Sequence, residues 1–245
     1  MKVKLFLIFS VFVFTSMDGQ LLSRILAGKT GVESIKILEK DDKRIIYIPT
    51  MHIERPEYYS KIKKYVDSVR DEGYVIFYEG LAFDENTKKE DREILQFKLR
   101  KLLGYHIHKT SSEENKSSPK FYKNRKRINQ TEADLGIKPD DVRADMTINK
   151  LIQEYEKKYG SLKLTACDLK TPLNSKYKCK DDKEFLAKGS AVFTVSHEFR
   201  DAYLMQLILN SNEKKILLLY GKAHWLLKIY PTLFDEGYKL VYGKV

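Results

Sequence analysis

Two apolar runs in this chain each end in a histidine. The first reads Arg44-Ile-Ile-Tyr-Ile-Pro-Thr-Met-His52, the second Lys215-Ile-Leu-Leu-Leu-Tyr-Gly-Lys-Ala-His224. A third run, Gly73-Tyr-Val-Ile-Phe-Tyr-Glu79-Gly80, ends in a carboxylate. Two imidazoles and a carboxylate suit a divalent metal such as Zn²⁺, Mn²⁺ or Co²⁺ with one coordination position left for water. A histidine at a strand end is more often a satisfied polar residue than a ligand, so the metal reading depends on convergence. Donor heads more than about 8 Å apart cannot share an ion whose bonds are about 2 Å long.

The elements that would position these residues are legible from patterning. Short runs rich in β-branched and aromatic residues predict buried strands rather than helices. Ligands of open α/β sheets bind just beyond the carboxyl ends of strands. One tail of the sheet would therefore gather His52, Glu79 and His224. Apolar runs at 34–38 and 45–48 flank the charged residues 39–44 and predict a hairpin. Pro56 suits the first turn of a helix, and Tyr59, Ile62, Tyr65, Val66 and Val69 give that helix one apolar stripe. Gly73 ends it and a strand follows, so strand, helix and strand in one short unit favour a parallel crossover. Further helices are expected over 85–103 and 146–158, in the second half of 183–209, and just after His224. Further strands are expected at 162–167, ending at Asp168, and at 216–220 and 238–242. The alternation predicts one α/β domain, residues 20–245, with a central mixed β-sheet covered by helices. The polar, basic stretch 109–127 is the expected mobile loop.

The chain has 245 residues, enough for one domain with a full core, and a formal charge of +11. Its lysines are scattered among acidic residues, so the excess reads as a solvated surface, and no specific nucleic-acid partner is expected. Residues 1–19 have the layout of a secretory signal peptide: a basic start, an apolar run over 5–14 and a small polar stretch with a cut expected near Gln20. Export follows from that layout, to a periplasmic, extracellular or cell-surface location; left uncut, the segment would be an anchor. No other apolar stretch approaches spanning length. Cys167 and Cys179 either pair across a short loop, as an exported chain allows, or stay apart; their spacing fits no common zinc pattern. The nucleophile elbow G-x-S-x-G, the zinc motif H-E-x-x-H and Gly-rich phosphate loops are all missing.

Taken in order, several motifs resemble one family. Gly221-Lys-Ala-His224 is a full G-x-x-H motif, followed by Trp225 and by Asp235-Glu-Gly-Tyr238. Tyr78-Glu79-Gly80 matches a glutamate segment, and His197-Glu-Phe-Arg200-Asp201-Ala-Tyr-Leu-Met205 an arginine-led helix. The set resembles the TraB, Tiki and GumN (PrgY-like) group, related to the erythromycin-esterase-like superfamily, over most of the chain after the signal region. The first motif departs from it, with Pro49-Thr-Met-His52 carrying Pro where the family has Gly. Pro fixes φ at about −65° where Gly permits positive values, so the turn into His52 is expected to differ.

The resemblance implies a metal-dependent hydrolase acting on a peptide or small-molecule substrate, with peptidase activity described for the animal Tiki branch. His52, Glu79 and His224 would hold the ion and lower the pKa of bound water to about 7; alternatively Glu79 would act as general base beside it. Arg200 would stabilise an oxyanion or grip a substrate carboxylate. Asp201 would orient a histidine from behind, or Arg200 and Asp201 would form only a structural ion pair. His197 is a reserve candidate, and His106 and His108, beside the polar loop, are expected to be solvated. Two other readings stay open: a non-catalytic haem- or metal-binding protein on the same fold, and a basic surface protein in which the three residues do not converge.

Overall fold

A computed structural model describes residues 30–104, 127–175, 177, 179 and 194–245. The expected signal peptide, nearly all of the expected mobile loop, His106, His108 and the first part of the 183–209 stretch lie outside these residues. The fold is α/β. Its six-stranded mixed sheet runs in the order β6-β4-β7-β2-β1-β8. The strands are β1 (Lys36–Lys40), β2 (Lys43–Thr50), β4 (Val75–Tyr78), β6 (Val142–Arg143), β7 (Lys215–Gly221) and β8 (Lys239–Tyr242). β3 (Ile53–Glu54) and β5 (Ile128–Asn129) form a separate two-stranded ladder. β7 lies between β2 and β4 and runs parallel to both, so the carboxyl ends of all three point the same way.

The three central strands are buried on both faces, which is why they read as continuous apolar runs. On one face Ile46, Ile48, Ile76, Leu217 and Leu219 pack against α1 (Pro56–Asp71), whose buried stripe is Tyr59, Ile62, Val66 and Val69. On the other, Ile45, Tyr47, Phe77, Leu218 and Tyr220 pack against Leu204, Met205 and Ile208 and against Trp225, Ile229 and Leu233. A side cluster joins α2 (Lys89–Leu103) to a helix spanning Ile148–Tyr159.

The expected hairpin is present but tighter: Lys40 pairs with Lys43, leaving Asp41 and Asp42 as the turn, with Asp41 at a φ of 51°. α2 begins at Lys89 rather than at residue 85, after a turn in which Thr87 N–H donates to the Asp84 carbonyl. The strand expected at 162–167 is not there. Thr165 and Asp168 instead form a reciprocal capping box that starts a short helix, Ala166–Lys170. Thr165 accepts from the Asp168 N–H, and the Asp168 carboxylate accepts from the Thr165 N–H, a pattern that nucleates a helix over a weak strand signal. A disulfide joins Cys167 to Cys179, resolving the open choice in favour of pairing. Among the described residues no helix is long and apolar enough to cross a membrane.

Candidate metal centre

Glu79 leaves the end of β4 and is buried beneath the ends of β7 and β2. Its Oε2 accepts the Gly221 N–H at 2.7 Å. A Cβ at position 221 would stand 2.9 Å from that oxygen and 3.2 Å from His224 Cδ2, so glycine is required here for close approach. Positive φ is not the reason: Gly221 has a φ of −56°, a value open to Pro. The expected penalty of Pro49 for the turn into His52 therefore does not arise from φ. Pro49 lies in β2 opposite Tyr220, past Tyr47, the last residue paired with β1, where a missing N–H is tolerated. Thr50, not Pro49, is the register partner of Gly221, so the two histidine motifs are offset by one residue across the ladder.

The Oε1 of Glu79 faces three groups. Arg200 Nη2 donates to it at 2.7 Å, His224 Nε2 stands 3.6 Å away and His52 Nε2 3.7 Å away. The two predicted imidazoles thus face the predicted carboxylate, with the predicted arginine beside them. Two ligands of a tetrahedral ion with bonds of about 2.1 Å stand about 3.4 Å apart, which matches the imidazole–carboxylate separations. Imidazole nitrogen and carboxylate oxygen are donor types that suit a divalent cation of the Zn²⁺ type.

His224 closes a single helical turn, Lys222–His224, and its ring packs edge-on against Tyr220. Its Nδ1 is hydrogen-bonded to Asp201 Oδ1, so one imidazole lies between two carboxylates, Glu79 and Asp201. Arg200 and Asp201 open a helix, Arg200–Asn210, directly after a π-helical turn, Thr194–Phe199; such turns recur at functional sites. The π turn carries His197, whose Nδ1 lies 3.6 Å from Asp201 Oδ2 and whose ring centroid is 4.6 Å from that of His224. His197, Asp201 and His224 offer three ligand atoms within 4.8 Å of one another, a group that could hold a metal ion. The reserve candidate His197 therefore belongs to the site.

Asp145 was not visible in the sequence. It follows β6, a strand of two residues with no apolar run to announce it. Fully buried, its carboxylate accepts from Arg200 Nε at 2.9 Å and Nη2 at 2.6 Å, and from the N–H groups of Gly80 and Met146 at 3.1 and 2.8 Å.

Glu79 and Asp145 accept from one guanidinium, and Asp201 adds a third carboxylate behind His224. Burial pushes the Glu79 carboxyl up, but His52, His224 and Arg200 outweigh it and hold it well below the usual range. Burial likewise lowers His224, yet its bonds to Asp201 and Glu79 raise it to about 9. Burial opposes the charge of Arg200, and Asp145 foremost holds that charge in place. The surplus of negative charge thus draws a proton onto His224, where a cation would serve the same end. Thr50 Oγ1, the Tyr220 hydroxyl and Asp201 Oδ2 are buried without a hydrogen-bond partner among the described residues. Searches of family models, of curated proteins and of solved structures return no match to this chain.

Proposed function

We propose that this chain is a divalent-metal-dependent hydrolase of peptidase or esterase type, its ion held by His52, Glu79 and His224, as the resemblance to the TraB, Tiki and GumN group implies. One observation carries the reading: a buried carboxylate oxygen stands at ligand-to-ligand distance from two imidazole Nε2 atoms. Asp201 is bonded to His224 Nδ1, so it acts as the orienting carboxylate and turns Nε2 toward Glu79. His52 is exposed and leaves one side of the site open to substrate. The ion would supply Lewis acidity toward a carbonyl. A carboxyl held as low as that of Glu79 suits a ligand better than a general base, which works best near the operating pH. Arg200 donates Nε and Nη2 to protein carboxylates, leaving Nη1 without a protein partner among the described residues and free for an oxyanion. The layout of residues 1–19 supports export, and the Cys167–Cys179 disulfide suits an oxidising compartment.

A second reading has its own observation. His197, Asp201 and His224 form a more enclosed group, and closed sites hold metals without catalysis. Elemental analysis of His52→Ala and His197→Ala protein, with hydrolysis assays on peptide and ester panels, separates the two. Loss of metal and hydrolysis in His52→Ala supports the hydrolase. Loss of metal in His197→Ala alone, with no cleavage by wild type, replaces it with metal binding.

A further inference from the structure

Arg200 occupies the same oxygen that the two imidazoles face. Its Nη2 is shared between Glu79 Oε1 at 2.7 Å and Asp145 Oδ2 at 2.6 Å, while Nε holds Asp145 Oδ1 at 2.9 Å. The other oxygen of Glu79 is fixed by the Gly221 N–H. A guanidinium cannot shed its charge. A divalent cation on Oε1 would therefore share that oxygen with a permanent positive charge, in a buried setting where like charges repel strongly. The fork onto Asp145 survives if the Nη2 contact to Glu79 is given up, so Arg200 can release Glu79 without becoming an unpaired buried charge.

We infer that Arg200 is a resident counter-ion that competes with the metal for Glu79, and that Asp145 is the positioning residue that gives Arg200 its alternative seat. This rests on the metal reading above. Metal binding and the Arg200–Glu79 contact are then negatively coupled, and by linkage each weakens the other by the same factor. The site is built for an exchangeable ion rather than a permanently locked one.

The test is calorimetric titration of Zn²⁺ and of Mn²⁺ into metal-free full-length chain. Arg200→Met should bind metal more tightly than wild type, by roughly 5- to 150-fold, the usual span of a coupling between sites. Asp145→Asn should bind more weakly, because the guanidinium then has Glu79 as its remaining carboxylate. Arg200→Met leaves Asp145 buried and unpaired; if it fails to fold by circular dichroism, the neutral pair Arg200→Met with Asp145→Asn replaces it and should also bind more tightly than wild type. Should both arginine variants fail to fold, Asp145→Asn decides alone, and equal or tighter binding in it overturns the inference. Wild-type binding with equal or weaker binding in the folded arginine variants overturns it while leaving the metal reading intact. No binding in wild type or any variant removes the metal reading, and the inference with it.

Discussion

The two strand-end histidines share a carboxylate and little else. The His224 side chain is 7% exposed, with Asp201 behind it, Glu79 before it and Tyr220 on its edge, whereas the His52 side chain is 56% exposed. What is fixed at His52 is the backbone. Tyr58 and Tyr59 hydroxyls donate to the Pro49 and Met51 carbonyls, and the His52 carbonyl accepts from Gln130 N–H. One imidazole is a buried wall of the site; the other is an exposed arm on a backbone held by hydrogen bonds. Buried donors with a partner behind them set affinity, and exposed ones leave room for exchange and for substrate.

The strongest way to break this contrast is His224→Ala. It leaves Glu79 and Asp201 buried with fewer compensating partners, which should cost about 3–5 kcal/mol in urea unfolding and abolish metal binding. A change within about 0.5 kcal/mol would show that the buried imidazole is not structural. Gly221→Ala comes next: its Cβ would stand 2.9 Å from Glu79 Oε2, so about 1–3 kcal/mol of stability and 10- to 100-fold in metal affinity should go. Unchanged thermal stability and calorimetry would sink the close-approach account of that glycine.

A smaller effect is expected from pH. The His224 pKa is raised on folding, so its contribution to metal-free stability is fully present below about 6.5 and is lost as pH rises through about 9. Glu79 works with the opposite sign: its lowered carboxyl adds stability above the ordinary glutamate range, and this is lost in acid. Urea midpoints should fall on going from pH 6.5 to pH 9, and the fall should vanish in a folded His224→Gln variant. Metal affinity should rise over the same interval, since the ion displaces a proton. The smallest stability effect belongs to His52→Ala, at most about 0.5 kcal/mol, alongside a clear loss of metal affinity. A large loss of stability there would erase the distinction between wall and arm.

Much of the frame was legible because β2, β4 and β7 are apolar on both faces and because Pro56 and Gly73 bracket α1. The convergence of His52, Glu79 and His224 followed from strand ends pointing one way, whereas Arg200 was named only from the arginine-led helix motif of the resemblance. Asp145 stayed hidden because β6 is held by its neighbour β4 rather than by its own pattern. The 162–167 stretch misled because Leu162, Leu164 and Ala166 alternate like a strand while only Leu162 is buried. The competing signal, Thr165 with Asp168 three residues on, was present in the sequence. Gly221 was read for its dihedral freedom, but the lack of a side chain beside Glu79 is what that position uses.

The place of β7 has a consequence for how the chain acquires its site. Lys215–Gly221 is synthesised well after β2 and β4, yet it is inserted between them. Until it arrives those two strands have no common neighbour, and Glu79 has neither the Gly221 amide nor His224. Loop closure over most of the chain must precede the pairing, which makes this the slow, non-local step of folding. A nascent chain stalled before residue 215 would present two bare, apolar strand edges, a state prone to aggregation and open to chaperone capture.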